Sequence, residues 1–512
     1  MSRTAQFAVN AAANYARMGI QIAAFAVLTP YVIAKIGTGD YGLWTLVLSP
    51  LGFLNLLDLG FGTGVVKYVA ECQASGDVER RNRILSTLGV VYAGILAVSA
   101  VAVILLAAFF NQMFAIPAEQ QPKATAVLWI LAVRFALAIP LSLYRNALYG
   151  EQRVHLINLA GVIGILAQAV GSWLVLMFGY GVLALAWVNL TAMLIEYVAY
   201  AWFAYRTMNG LRISPELFDR PFLKEVSSFS GAQFLINIAA LILLRTDPII
   251  VKAFLPLSAV AIYGVALKIA ENAYLLTKQF TNLLGPLAAQ LQQSAENIKI
   301  RFILINCTKF AMAPSVMLTV AMYVLGRETI VFWVRNPDFA PGGVILIVLL
   351  TSMTLSMAQE TSSAVLSMTG HHRITATAAV VSVVTNVGLS VLLAKLVGLI
   401  GIALGTLGAT LLVNLLITVR RACQIHGITY RDYIARALAP ALLPGAAQFA
   451  VTLGLKYWNS PAGLLSTIIL TIPGAIVYCI LFWFFSIEQS EKDLLVSKLL
   501  KRYRPLKVAT ET

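Results

Sequence analysis

Twelve charged residues lie inside stretches otherwise apolar enough to cross a membrane. Seven are basic (Arg17, Lys67, Arg134, Arg245, Lys268, Lys278, Lys309) and five acidic (Asp58, Glu196, Asp247, Glu271, Glu360). A charge facing lipid at the bilayer centre costs at least about 2.5 kcal/mol on insertion scales, so these groups must pair, reach the headgroups or line a wet cavity. Lys67 and Lys309 lie near cytoplasmic span ends and are expected to snorkel. Lys268 and Glu271 are three apart on one helix, and Arg245 and Asp247 flank a bend before Pro248; both read as pairs, structural or working.

Arg17, Arg134 and Lys278 have no acidic neighbour within a helical turn, which points to a cavity. Cations lining a cavity imply an anionic passenger, and the guanidinium fork matches phosphate oxygens. With the snorkelling lysines set aside, the basic excess is small and gives only a lean in that direction. Intramembrane carboxylates often carry ions. Asp58, Glu271 and Glu360 are therefore read as carriers of H+ or Na+, or as structural partners. Asp58, in "NLLDLGFGTGVVKYVA", is expected midspan, turned towards the cavity or a cation such as Arg17, with Gly60 and Gly64 letting helices approach.

The elements that must position these groups follow from composition. Of 512 residues, 59% are hydrophobic and 12% charged, with a mean hydropathy of +0.82; soluble domains carry about 25% charged residues. This predicts an all-α polytopic membrane protein. The net charge of +15 is explained by location rather than by nucleic acid. Cys72, Cys307, Cys423 and Cys479 are widely spaced, so neither a disulfide framework nor a metal site is expected. No GxSxG, HExxH or P-loop motif occurs, and the histidines fall in cytoplasmic loops or at helix ends; the chain does not read as an enzyme and suggests no cofactor.

At about 20 apolar residues per pass, the chain offers fourteen spans: 8–33, 41–67, 84–110, 124–148, 155–178, 181–204, 226–253, 259–288, 302–326, 342–367, 374–394, 399–419, 436–455 and 462–485. The first reads as a retained span rather than a signal peptide. With the N-terminus inside, 23 of the 37 Lys and Arg fall on the inner side and 7 on the outer, which places both termini in the cytoplasm. The tail "EKDLLVSKLLKRYRPLK" reads as a cationic helix on the inner leaflet.

A weak repeat recurs at a shift of about 220 residues. Pro30 aligns with Pro248, Tyr41-Gly42 with Tyr263-Gly264, Arg153 with Arg373, and Gly181 with Gly401. Six spans per repeat, an even number, give two lobes related by an axis along the membrane normal. The expected boundaries are 1–205 for the first lobe, 206–222 for a cytoplasmic linker, 223–421 for the second lobe, 422–486 for two further spans and 487–512 for the tail.

The segment from Leu28 to Glu71 carries Gly37, Tyr41, Gly42, Leu43, Trp44, the run Leu56 to Gly62, and Lys67-Tyr68; "LYGEQR" precedes span five. These motifs resemble the polysaccharide flippase (Wzx-like, polysaccharide transport) family of the multidrug/oligosaccharidyl-lipid/polysaccharide exporter superfamily, most specifically over the first 80 or so residues. The resemblance implies two pseudo-symmetric six-helix lobes around a central cavity lined by spans one, two, seven and eight. It also implies movement of an undecaprenyl-diphosphate-linked oligosaccharide of O-antigen, capsule or exopolysaccharide to the outer leaflet of the bacterial inner membrane. Arg17, Arg245, Lys268 and Lys278 then fall on cavity-facing spans, with Arg134 on span four beside them. The partners implied are the lipid-linked glycan, membrane lipids and other polysaccharide assembly proteins. A cation-coupled multidrug exporter of the same fold is the alternative, and a glycan polymerase is disfavoured because no outer loop is long enough to hold a catalytic domain.

Overall fold

The computed structural model describes residues 3–226, 245–292, 297–489 and 491–492. Among the described residues the chain is helical with no strand, and twelve helices are long and apolar enough to cross a membrane. The chain is an all-α, multi-pass membrane protein.

Helix α1, Arg3–Gly52, carries most of the longest candidate span, the 47 residues Ala12–Asp58, which runs on through a 3₁₀ turn. At 1.5 Å per residue such a segment reaches about 70 Å, roughly twice the hydrocarbon core. It is broken at Gly37, whose φ of 82° and ψ of 165° are non-helical and open only to a residue without a Cβ. The first two expected passes therefore share one continuous assignment bent at glycine. The expected seventh pass, 226–253, lies mostly on residues 227–244, outside the described residues.

Beyond Gly52 the second pass is not one helix. A 3₁₀ turn, Phe53–Asp58, ends at Leu59 and Gly60, both left-handed (φ 51° and 81°), and α2, Phe61–Ser75, starts afresh. Then follow α3 (Val78–Met113), α4 (Gln121–Gly150), α5 (Val154–Met177) and α6 (Val182–Thr207). Residues 245–254 form α7. Next come α8 (Leu257–Gln292), α9 (Asn297–Val334), α10 (Pro341–Met368) and α11 (His372–Val397). The helical spans α12 (Leu399–Ile425), α13 (Tyr430–Trp458) and α14 (Leu464–Ser486) complete the series, and each contains a π-helical run.

The chain forms two compact units. One comprises Met1–Lys268, Trp333–Ile345 and Ala376–Ala409; the other Ile269–Phe332, Leu346–Thr375 and Thr410–Thr512. In the first, α4 packs on α6 and α3, and α5 on α6 and α1. Its core gathers Val65, Tyr68, Leu85, Tyr92, Leu148 and Tyr200, among others. The segment after α6 is tied to this unit: Arg81 donates to the Asn209 carbonyl and Asn82 to the Gly210 carbonyl, both at 2.7 Å. Arg81 also pairs with the buried Glu151 at 3.3 Å. In the second unit α13 packs on α14, and the core is built around Leu304, Met312, Met357, Leu366 and Tyr433.

Candidate functional site: an arginine cluster and an oxygen cluster

Within the first unit, α4 carries Arg134 and Arg145. Eleven residues are three helical turns, so the two share one face about 16 Å apart along the axis. Glu196 of α6 lies within electrostatic reach of Arg134, Arg145 and Arg17 of α1, and Arg134 also senses Arg245 of α7. The Tyr200 hydroxyl, one turn from Glu196, donates to its Oε1 at 2.5 Å. Helix α5 makes room with glycine: a Cβ on Gly161 would sit 2.9 Å from Arg17 Cδ, and one on Gly164 2.7 Å from Glu196 Oε2. Arg245 lies against Gly52 in the same way, at 3.1 Å.

Three guanidiniums thus gather around one carboxylate, with a fourth, that of Arg245, beside Arg134. Among the described residues, the buried Nε atoms of Arg17, Arg134 and Arg245 have no hydrogen-bond partner. Buried donors are almost always satisfied, and these three leave hydrogen-bonding capacity that suits a polar or anionic group. The local spacing of the sequence does not bring Arg17, Arg134 and Arg245 together; the packing of α1, α4 and α7 does. Arg145 and Glu196 were not among the candidate site residues. The available signal was Tyr200 four residues after Glu196, since a tyrosine at helical spacing from an intramembrane carboxylate is its natural donor.

Asp58 differs from expectation. It ends a 3₁₀ turn rather than standing midway along a helix, and its hydrogen bonds come from α3 and α2: the Tyr92 hydroxyl donates to Oδ1 at 2.7 Å and the Gly62 N–H to Oδ2 at 3.2 Å. It caps the start of α2, where the orphan N–H groups of a helix favour a carboxylate. Gly60 contributes a left-handed turn, not a flat packing face.

The expected pairing of Asp247 with Arg245 gives way to a different arrangement. Asp247, 2% exposed, accepts at Oδ2 from the Tyr263 hydroxyl at 2.5 Å and from Thr406 Oγ1 at 3.3 Å. Asn386 Nδ2 donates in turn to Thr406 at 3.0 Å. Among the described residues, the buried Asp247 Oδ1 and Asn386 Oδ1 have no partner. One carboxylate, one amide and one hydroxyl are therefore linked across α7, α11 and α12, and Asp247 Oδ1 and Asn386 Oδ1 remain unspent acceptors. Hard oxygen donors carrying one net charge suit a monovalent cation rather than a transition metal. Among the described residues no group of three or more His, Cys, Asp or Glu side chains could hold a metal ion.

In the second unit, Lys278 of α8 donates to Glu360 Oε1 of α10 at 3.1 Å, and the Tyr274 hydroxyl donates to the same oxygen at 2.7 Å. The acid that Lys278 lacks within a turn of its own helix comes from another. Lys268 is exposed and Glu271 half-buried. Lys309 does not snorkel: it is 3% exposed and donates to both oxygens of Glu491 at 2.7 Å. The residues after 492, including most of the predicted interfacial tail, lie outside the described residues.

Residues 36–332 match the family model described as "Polysaccharide biosynthesis protein", which covers more than half of the chain. The chain belongs to this family. The assignment agrees with the resemblance carried by Gly37 to Trp44 and Leu56 to Gly62, and polysaccharide biosynthesis family membership sets the context for both clusters. A relative, the "Probable flippase AglR" of Haloferax volcanii, is 24% identical over 75% of this chain and 76% of its own. Among solved structures, the lipid II flippase MurJ in an inward closed conformation matches with a TM-score of 0.70 and 14% identity, over 96% of this chain and 99% of that one. An inward-facing multidrug resistance MATE family transporter matches with a TM-score of 0.63 and 15% identity, over 80% of this chain and 98% of that one. At such identities the structural likeness establishes a shared fold.

Proposed function

We propose that this protein is a flippase that moves an undecaprenyl-diphosphate-linked oligosaccharide, an O-antigen, capsule or exopolysaccharide repeat unit, from the inner to the outer leaflet of the bacterial cytoplasmic membrane. The observation that carries this reading is the set of buried, unpartnered Nε donors on Arg17 and Arg134 beside Glu196 and on Arg245 beside Arg134. A diphosphate presents several acceptor oxygens and negative charge, which match a cluster of guanidiniums with unspent donors. The names of AglR and MurJ, both flippases, support the same class of passenger. The basic inner loops favour cytoplasmic termini, and rocking of two lobes supplies alternating access.

Coupling is part of the proposal. Asp247, Asn386 and Thr406 offer an oxygen set with two unspent acceptors, suited to Na+. A bound cation would balance the buried carboxylate and bias the two states of the transporter differently.

The MATE-like fold also admits a cation-coupled drug exporter, but an arginine-rich cluster repels cationic drugs. Deletion of the gene separates the two readings. Loss of surface polysaccharide with unchanged drug susceptibility supports the flippase; intact polysaccharide with increased drug sensitivity overturns it.

A further inference from the structure

We propose that the cytoplasmic end of α12 holds an anionic glycerophospholipid in a groove built for it. A cavity of about 360 Å³ is lined by Leu416, Ile417, Arg420, Arg421 and Gln424. Leu416, Arg420 and Gln424 are spaced by four, as are Ile417 and Arg421, so the lining is two adjacent ridges of one helix. Along these ridges the chemistry runs from aliphatic to cationic within one turn. Leu416 and Ile417 are 49% and 40% exposed, as are their neighbours Leu411 and Leu412 to a similar extent, which is the surface that faces acyl chains. Arg421 Nη1 donates to Gln424 Oε1 at 3.3 Å, holding that guanidinium along the groove.

Such a gradient fits an amphiphile whose head is negative. The positive-inside orientation puts Arg420 and Arg421 at the inner leaflet, where anionic headgroups are found and each nearby cation contributes about 1 kcal/mol of attraction. The ten-residue π-helical run Thr410–Val419 lies immediately before them. Such runs are rare and collect at functional sites, because the wider turn re-aims the side chains that follow. A phosphodiester on the two arginines, with its glycerol and upper acyl carbons along Leu416 and Ile417, uses every group that lines the cavity. This assignment does not depend on the identity of the transported molecule.

Native mass spectrometry of the full-length protein in detergent tests it, with phosphatidylglycerol, cardiolipin, phosphatidylethanolamine and inorganic phosphate added separately. Retention of the two anionic lipids but not of phosphatidylethanolamine is expected, and inorganic phosphate should not displace them. The double variant Arg420→Gln/Arg421→Gln should weaken anionic-lipid binding about 25-fold, from about fivefold per arginine. The control Arg206→Gln/Arg212→Gln removes the same charge from exposed positions of the other unit and should leave binding within twofold. Binding unchanged in Arg420→Gln/Arg421→Gln, an equal loss in the control, equal retention of phosphatidylethanolamine, or displacement by phosphate alone would overturn the proposal.

Discussion

Lys309 and Glu491, 182 residues apart, form a bidentate ion pair with both side chains below 5% exposed. Glu491 Oε2 also accepts the N–H of Glu488 at 2.7 Å, so one carboxylate fixes the segment after α14 and neutralises a lysine of α9. Two charges removed from water are tolerable only as a satisfied pair.

Removing one member therefore strands the other. Lys309→Met alone should destabilise the protein by roughly 3–5 kcal/mol, whereas Lys309→Met/Glu491→Leu should recover most of that loss. Thermal unfolding in detergent of the two single variants and the double variant reads the coupling directly; additive losses would show that the pair is not coupled.

The glycines of α5 give a steric prediction. A Cβ at Gly164 meets Glu196 Oε2 at 2.7 Å and Glu196 Cβ at 2.8 Å, while Gly94 of α3 has nothing within 4 Å. Gly164→Ala should cost about 1–3 kcal/mol through overpacking, and Gly94→Ala should be neutral or stabilising by up to about 1 kcal/mol. Melting temperatures of both variants, measured side by side, check the contrast.

The oxygen cluster predicts an ion effect. Na+ should raise the melting temperature of the wild-type protein more than equimolar choline does, as ligand binding to the native state requires. Asp247→Asn removes the net charge while keeping the shape, and should abolish that difference. A Na+ shift that persists in Asp247→Asn would place the cation elsewhere.

His426, beyond the end of the α12 span, is buried; burial, with His371 and Arg301 nearby, holds its imidazole below the ordinary value of 6.5. Because the folded state resists charging, its contribution is fully present above about pH 6.5 and is lost as pH falls from there through the lowered folded value. His426→Gln should flatten the acid limb of a stability profile measured between pH 7.5 and about 5. An unchanged limb would assign that loss to other groups.

The fold was legible in the sequence because long apolar runs and basic loops are local, additive signals. Most of the passes fall where hydropathy placed them, and the Gly37 bend lies in the gap expected between the first two. The partners of the buried charges were not legible, because pairing across helices depends on rotation and tilt that no spacing encodes. Lys278 looked unpaired until α10 brought Glu360 beside it, and Lys309 looked free to snorkel until Glu491 closed over it. Asp58 was misread for another reason: an apolar run around an aspartate suggests a continuous helix, whereas Leu59 and Gly60 in left-handed conformation end one and start the next. The four-arginine cluster was half visible, as cations lacking local acids, but its focus on Glu196 required the packing of α4 on α6.

If the arginines anchor a diphosphate, translocation itself is the most direct measurement. Purified protein would be reconstituted with a labelled undecaprenyl-diphosphate oligosaccharide, and the label reaching the opposite leaflet followed by its accessibility to a glycan-cleaving enzyme. Wild-type protein should move the lipid, while Arg17→Ala, Arg134→Ala and Arg245→Ala, each folded by its melting profile, should reduce the initial rate at least about tenfold, the loss expected from one charge-assisted hydrogen-bonding group worth about 1.5 kcal/mol. Wild-type rates in all three variants, or no movement of the lipid by folded wild-type protein in a Na+ gradient of either direction, would contradict it.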